Sequence, residues 1–185
     1  MFINEKFESA CYYGNINKLK KIDLNDFKKI DDFKKSIEFG LTQATIKGHL
    51  EIIKYILTHP ELKRHVKIDF YNKIIIRFAC NNGHLDVIKY LLTHQDFKNK
   101  INIHEHNDSA FRYACAQKFI YILKFLIFEF KIEKTTRIDE FLEYYKDEPF
   151  IQDVIKFFKI RDLKSNLEQS LTNNQNTGKP VRNKI

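Results

Sequence analysis

The sequence predicts an all-α fold, a helical solenoid of about four helix-turn-helix repeats with a helical cap at its C-terminal end. The segment Gly48–His59, GHLEIIKYILTH, recurs 35 residues later as GHLDVIKYLLTH, with nine of the twelve residues identical. A marker alanine recurs at spacings of 34, 35 and 35, at Ala10, Ala44, Ala79 and Ala114. Apolar residues within each copy follow helical periodicity, and self-similarity at this period is typical of stacked repeats.

The first helix of each central repeat carries the marker alanine, and we predict it over residues 40–47 and 75–82. The small alanine side chain allows the next repeat's helix to approach closely. Gly48 and Gly83 follow, where the chain must reverse through a turn that favours a residue tolerant of positive φ.

The second helix is predicted from Leu50 to about Thr58 and from Leu85 to about Thr93. Its apolar residues recur at intervals of three and four, as one core-facing stripe requires. They are Leu50, Ile53, Ile56 and Leu57 in one copy and Leu85, Ile88, Leu91 and Leu92 in the other.

The connector after each second helix carries alternate apolar residues that an extended segment would point inward. These are Val66 and Ile68, then Ile101 and Ile103. The remaining connector residues, 69–73 and 104–108, are polar and are expected to form loops.

The outer repeats keep only part of the pattern. The first has Phe7, Ala10 and Gly14 on the repeat register, and the fourth has Lys118 where glycine stands elsewhere, so a modified turn is expected there. Helices predicted over residues 138–146 and 150–159 would close the apolar end of the stack as a cap. We therefore expect a repeat domain with its caps over residues 1–164 and a polar, disordered tail over residues 165–185.

Composition fits a folded, soluble, cytoplasmic protein. The chain has 43% hydrophobic and 14% aromatic residues and no run of 18 apolar residues. We expect no secretory leader, because residues 1–6 show no basic segment followed by an apolar run. Each of the three cysteines directly follows a marker alanine, at Cys11, Cys80 and Cys115. This position predicts small buried packing residues and neither a disulfide framework nor a catalytic thiol.

The net charge of +8 raises nucleic-acid binding as an alternative function. Residues 1–73 carry 14 basic and 10 acidic side chains, and residues 74–185 carry 18 and 14, so each part contributes +4. Lysines and aspartates are interleaved, which is typical of a solvated face. A nucleic-acid footprint requires the cations to be gathered on one surface.

The alanine, the inter-helix glycine and the Gly-His-Leu run resemble the ankyrin repeat family, over roughly residues 7–131. The family's Thr-Pro-Leu-His opening is replaced here, for example by Phe39, Gly40, Leu41 and Thr42. Divergent repeats rich in Ile, Asn, Lys and Phe are similar to those of AT-rich genomes, including those of intracellular pathogens and viruses. The resemblance implies protein recognition through a concave face, without catalysis, and a partner that includes host factors among the candidates.

Candidate partner-binding residues follow from the resemblance by position. On the first helices they are Gln43, Lys47, Phe78, Asn82, Tyr113 and Gln117, and at the loop tips Tyr71, Asn72, His104, His106 and Asp108. Phe78 and Tyr113 both directly precede a marker alanine. They would either anchor a partner, as buried aromatics do at interfaces, or pack on the adjacent connector.

Catalytic, cofactor and metal sites are not predicted. The sequence has no Gly-x-Ser-x-Gly turn, no phosphate-binding glycine loop and no His-Glu-x-x-His pair. His104 and His106 flank Glu105, without further ligands at zinc-site spacing. The leading hypothesis is a non-enzymatic adaptor or inhibitor that binds a protein, with nucleic-acid binding as the alternative and a membrane surface as a weaker third option.

Overall fold

Helices account for the regular structure of this protein. The structure, a computed structural model, describes residues 2–27, 32–67, 74–98 and 101–177. No strand occurs within these ranges, so the predicted all-α class is confirmed. The chain separates into two compact units, Met1–Ile122 and Leu123–Ile185.

The described helices of the first compact unit range from 4 to 15 residues in length. They are α1 (Ile3–Tyr12), α2 (Ile16–Lys20), α3 (Leu24–Phe27), α4 (Phe33–Lys47), α5 (Leu50–Thr58), α6 (Pro60–Lys63), α7 (Ile76–Asn82), α8 (Leu85–Thr93) and α9 (Glu105–Ala116). Next come α10 (Ile120–Lys124), which spans the boundary, a π-helical turn (Phe125–Glu129), α11 (Thr136–Tyr144) and α12 (Pro149–Thr177).

First helices pack on first helices, and second helices on second helices. In chain order, α1 packs on α4, α4 on α7 and α7 on α9, while α5 lies between α2 and α8. The marker alanines are buried in all four first helices, with at most 2% of each residue exposed. The predicted close approach at the alanine is therefore confirmed.

Gly40 brings α1 and α4 together at a second point. A Cβ placed on Gly40 would lie 2.7 Å from Cε1 of Phe7 and 2.9 Å from Sγ of Cys11. The ring of Phe7 also stacks on Phe27, with 4.6 Å between centroids. Gly40 lies one turn before Ala44, so both small residues share the helix face that meets α1.

Helix α4 begins earlier than predicted. The predicted helix begins at Gly40, whereas the helix in the structure begins at Phe33. Phe33, Ile37 and Leu41 are buried at intervals of four residues, and Lys34 pairs with Glu38 on the exposed side at 3.6 Å. The charged residues around this stripe conceal its helical period in the sequence.

The second helices match their predicted bounds, Leu50–Thr58 and Leu85–Thr93. In α5, Ile53, Ile56 and Leu57 are buried as expected, while Leu50 is half-buried and Ile52 joins the core. The connector prediction is confirmed for Val66, Ile101 and Ile103, which are all buried. Ile68 and residues 69–73 lie outside the described residues.

The turn between first and second helix is the same in all four repeats. The carbonyl of the marker alanine accepts the amide five residues later, for example Ala44 from His49 at 2.8 Å. The same bond runs from Asn15, His84 and Phe119 at 2.9, 3.0 and 2.9 Å. Glycine is required at three of these turns, where φ is 69°, 74° and 82° at Gly14, Gly48 and Gly83.

A ring from the following repeat packs against each turn glycine. The pairs are Gly14 with His49, Gly48 with His84, and Gly83 with Phe119. A Cβ on Gly14 would lie 2.7 Å from Nδ1 of His49, and one on Gly83 would lie 2.9 Å from Cε1 of Phe119. A side chain at the glycine would thus collide with the next repeat, independently of the strain from positive φ.

The two histidines also bond to the repeat before them. Nε2 of His49 donates to the carbonyl oxygen of Tyr12 at 3.0 Å, and Nε2 of His84 donates to that of Ile46 at 2.8 Å. Because a carbonyl can only accept, Nε2 carries the proton in both rings. The repeated Gly-His pair is therefore a structural link between neighbouring repeats, as its repetition indicates.

The expectation of a modified turn at Lys118 is wrong. Lys118 adopts φ 58°, and its turn retains the amide bond from Phe119 to the carbonyl of Ala114. The lysine side chain is exposed, so the steric reason for glycine does not act at this position. Only the intrinsic cost of a left-handed residue remains, roughly 1–2 kcal/mol.

The second compact unit has its own apolar core. Ile138 and Leu142 of α11 are buried, as are Ile151, Val154 and Phe158 of α12. Both predicted cap helices are present, with ends shifted to residues 136–144 and 149–177. A disordered tail is expected from residue 165, but α12 continues there as a helix, and its side chains over residues 165–172 are exposed.

The domain boundary at residue 164 stays a prediction, and residues 178–185 lie outside the described residues. None of the helices in the described ranges combines the length and the apolar character that crossing a bilayer requires.

Substitution of Ala79 by Leu tests the tight packing of the first helices. Extra volume between α7 and its neighbours forces side chains off their rotamers, so the free energy of unfolding is expected to fall by roughly 1–3 kcal/mol. Ala116→Leu is the matched control, since Ala116 is exposed at the end of α9. Urea and thermal unfolding measure both variants, and equal midpoints for Ala79→Leu and the parent would contradict the packing.

A double-mutant cycle on Gly48 and His84 separates strain from collision. Gly48→Ala carries the left-handed cost of roughly 1–2 kcal/mol and, in addition, the collision with the ring. In the His84→Ala background only the strain remains, so the two losses are expected to be less than additive by at least about 0.5 kcal/mol. Additive losses would exclude the ring contact as a source of the glycine requirement.

Lys118→Gly removes the strain of a left-handed lysine whose side chain is exposed, so this substitution is expected to stabilise the fold.

Candidate partner-binding face

Side chains that precede the marker alanines form an accessible row across the first helices. They are Ser9, Gln43, Phe78 and Tyr113, from α1, α4, α7 and α9 in that order. We call this row, with the accessible side chains beside it on the same helices, the first-helix face. The first three are half-buried, and Tyr113 is 41% exposed. Because each of these residues is followed by a buried marker alanine, helix packing fixes the position of the row relative to the core.

Phe78 and Tyr113 give the row its apolar character. The guanidinium carbon of Arg77 lies 5.4 Å from the centroid of the Phe78 ring, within range of a cation–π contact. Because α7 packs on α9, the two aromatic side chains stand on adjacent helices. Their partial exposure leaves surface for a partner, which favours the anchor interpretation over packing on the connector. Their binding role stays a prediction.

A second row, directly before the turn, carries the polar candidates. Lys47 is exposed, with Nζ 4.8 Å from the centroid of the Tyr12 ring. Nδ2 of Asn82 donates to the carbonyl oxygen of Phe78 at 2.9 Å, so this amide is partly used within its own helix. Nε2 of Gln117 approaches Oδ1 of Asn81 at 3.5 Å and thereby joins the edges of α9 and α7.

Three further aromatic residues, in α4 and at the C-terminal end of α1, are exposed and were not predicted as binding candidates. Phe39 is 50% exposed, Tyr12 39% and Tyr13 75%. Phe39 lies one turn before Gln43, and spacing of i to i+4 places the two on one helix side. This spacing could have identified Phe39, but the shorter predicted helix, which began at Gly40, excluded it.

The loop-tip candidates divide into three groups. Tyr71 and Asn72 lie outside the described residues. His106 is exposed, in keeping with an accessible tip. Of the remaining two, His104 is half-buried, and only 2% of Asp108 is exposed, which corrects the expectation that Asp108 faces a partner.

His104 and Asp108 hold the start of α9. Nδ1 of His104 donates to Oδ1 of Asp108 at 2.5 Å, and this charge-assisted bond satisfies a buried carboxylate. His106, Asn107 and Asp108 adopt left-handed φ of 52°, 62° and 57°. His, Asn and Asp are the non-glycine residue types most tolerant of this region. The segment expected to be an open loop is therefore a tight left-handed turn.

Histidines and acidic residues in the described part of the chain do not converge on a metal site. Within the described ranges, no group of three or more His, Cys, Asp or Glu side chains is placed to hold an ion. His59 and His94 instead accept backbone amides through Nδ1, from Glu61 and Asp96, each at 3.3 Å. They close the turn that follows each second helix.

The cysteines lie in the packing layer, as predicted. Cys11, Cys80 and Cys115 are buried and unbridged. Burial raises the pKa of all three thiols well above its usual range, and the nearby Glu8 carboxylate adds to the rise at Cys11. A raised pKa keeps the thiol protonated and unreactive, so these residues supply volume and no nucleophile.

Comparison with protein families identifies ankyrin repeats in this chain. A model of ankyrin repeats in three copies matches residues 41–138, slightly more than half of the sequence. The resemblance expected from the alanine, glycine and Gly-His-Leu positions is thus confirmed, and with it a helical solenoid. Ankyrin repeats are generally protein–protein interaction modules and are typically not enzymes. Neither the curated proteins nor the solved structures contain a match.

Reaction of the thiols with a disulfide reagent tests their burial. Because the pKa is raised in the folded protein and ordinary in the unfolded chain, labelling at a pH of about 8 is expected only through unfolding. The reaction is stopped at timed intervals and the products are analysed by mass spectrometry. The native protein should stay unmodified over the time in which the chain in denaturant is fully labelled. Fast labelling of any of the three in native buffer would contradict the packing role.

Proposed function

The chain belongs to the ankyrin repeat family, and from that premise we propose that it is a non-enzymatic adaptor or inhibitor that binds a protein partner through the first-helix face. The observation that carries this proposal is the row of accessible side chains next to the buried marker alanines, which ends in Phe78 and Tyr113. Aromatic residues in such rows have rigid rings with large contact areas, as binding anchors usually do.

The spacing of the row suits a regular element of a partner. Packed helices lie about 8–10 Å apart, so anchors on α7 and α9 are separated by about that distance. Two turns of a partner helix advance about 10.5 Å, which lets residues at i and i+7 meet the two anchors. Phe39, Tyr12 and Tyr13 extend the apolar surface toward the first repeat. Gln43, Lys47 and Gln117 provide polar contacts around it.

Charge distribution favours a protein over nucleic acid as the partner. Lysines of several helices pair with carboxylates one turn away, such as Lys35 with Asp32 at 2.8 Å and Lys54 with Glu51 at 2.8 Å. On α12, Lys156 pairs with Asp153 at 3.0 Å. Phosphate binding requires cations that are not neutralised by such neighbours.

We infer that the partner is a protein of the cell in which this chain acts, either the producing cell or a host cell. Three free, buried thiols are compatible with the reducing environment of a cytoplasm. His106 and the loop tips would contribute specificity at one edge of the contact, while the aromatic row contributes affinity.

The double variant Phe78→Ala/Tyr113→Ala tests the face. Partners are captured from a lysate of the natural host with the parent chain, and the affinity of the recovered protein is then measured by calorimetry. Loss of two anchors is expected to weaken binding at least about 30-fold, which corresponds to about 2 kcal/mol. Far-ultraviolet circular dichroism and thermal midpoints verify that the variant is folded.

Tyr144→Ala is the matched control, because Tyr144 is 80% exposed but lies on α11 in the other compact unit. It should bind like the parent. Unchanged affinity in a folded Phe78→Ala/Tyr113→Ala variant would exclude this face as the binding site.

A further inference from the structure

Helix α12 exposes an apolar stripe beyond the part that contributes to the core. Its members are Ile160, Leu163, Leu167 and Leu171, of which 54%, 63%, 65% and 63% are exposed. At 100° per residue these four side chains fall within about 80° of the helix circumference and extend over about 16 Å. Earlier in the same helix, Val154 and Phe158 are buried. A narrow apolar stripe on a helical surface is typical of a helix seam that pairs with another helix.

We propose that this stripe is a self-association surface, on which α12 of a second copy of the chain packs antiparallel. The stripe has the symmetry that such a pair requires. Ile160 and Leu171 lie at equal distances from the middle of the stripe, as do Leu163 and Leu167, both pairs being centred close to residue 165. An antiparallel two-fold pair needs such a sequence, because each residue meets its mirror position on the partner.

The charged residues beside the stripe fit the same arrangement. Lys164 and Glu168 both flank the stripe on the same edge, one turn apart and again nearly symmetric about its middle. In an antiparallel pair, like edges face each other, so Lys164 of each copy meets Glu168 of the other. Two opposite-charge contacts therefore form across the two-fold axis.

Parallel pairing is disfavoured by the same residues. In a parallel pair, each edge of the stripe faces the opposite edge of the partner's stripe. A residue on one edge then meets the residue of the partner that lies five positions further along the sequence. Lys159 lies on the opposite edge from Lys164. Lys159 would thus face Lys164 of the partner twice, which places like charges in contact. The charges select the antiparallel arrangement.

The primary experiment uses the full chain. Sedimentation equilibrium and light scattering over a concentration range up to about 1 mM, the weak end of specific association, are expected to show a monomer–dimer equilibrium. Leu163→Ser/Leu167→Ser should remove the dimer and retain the thermal midpoint, since both side chains are exposed. Tyr144→Ser, which removes an even more exposed aromatic side chain outside the stripe, should dimerise like the parent.

Charge-reversed chains test the orientation. Lys164→Glu places two acidic residues on the edge, and Glu168→Lys places two basic ones, so each variant alone is expected to dimerise at least about 10-fold more weakly than the parent. A mixture of the two should form a heterodimer with parent-like affinity, because every cross-pair is then opposite in charge. Analytical ultracentrifugation with one variant fluorescently labelled measures all three states.

Several outcomes would overturn the proposal. A parent chain that stays monomeric over the whole range excludes a second copy as the occupant. Dimers that survive Leu163→Ser/Leu167→Ser place the contact elsewhere. Charge variants that dimerise alone like the parent exclude the antiparallel pairing. Vesicles containing anionic lipids serve as a final comparison: loss of vesicle binding in Leu163→Ser/Leu167→Ser with no dimer in the parent would assign the stripe to a membrane surface instead.

Discussion

The contact between each turn glycine and the ring of the following repeat sets the geometry of the first compact unit. His49 lies against Gly14 and His84 against Gly48, and each histidine donates to a carbonyl two residues before that glycine. The contact joins steric fit to a hydrogen bond, so neighbouring turns have one spacing and one register. Helices that leave these turns are then held close enough for the marker alanines to be buried between them.

This spacing also determines what the first-helix face can offer. Packing at the buried alanines holds each first helix in place, so Phe78 and Tyr113 are presented by a rigid support. The repeats differ in the conformation of their connectors, and the left-handed turn from His106 to Asp108 is one example. For the proposed binding function, a row held on rigid helices would lose little conformational entropy when a partner binds.

The two proposed surfaces belong to different compact units and use different chemistry. The first-helix face offers aromatic residues among polar ones, whereas the stripe on α12 is aliphatic and flanked by a lysine and a glutamate. Self-pairing through α12 would present two copies of the face in one assembly. Such bivalency raises apparent affinity for a repetitive or oligomeric partner without any new contact at the face itself.

Local periodicity was sufficient for much of this fold. The repeated segment and the spacing of the marker alanines by themselves determined the second helices Leu50–Thr58 and Leu85–Thr93, the buried alanines and cysteines, and the family, because each depends on spacing along one helix or turn. The start of α4 at Phe33, the buried carboxylate of Asp108 and the glycine-like turn at Lys118 were decided by tertiary structure. Whether a charged stretch is helical, a polar residue is buried, or a left-handed lysine is tolerated depends on which residues from other repeats lie against it. That information is not contained in the local pattern.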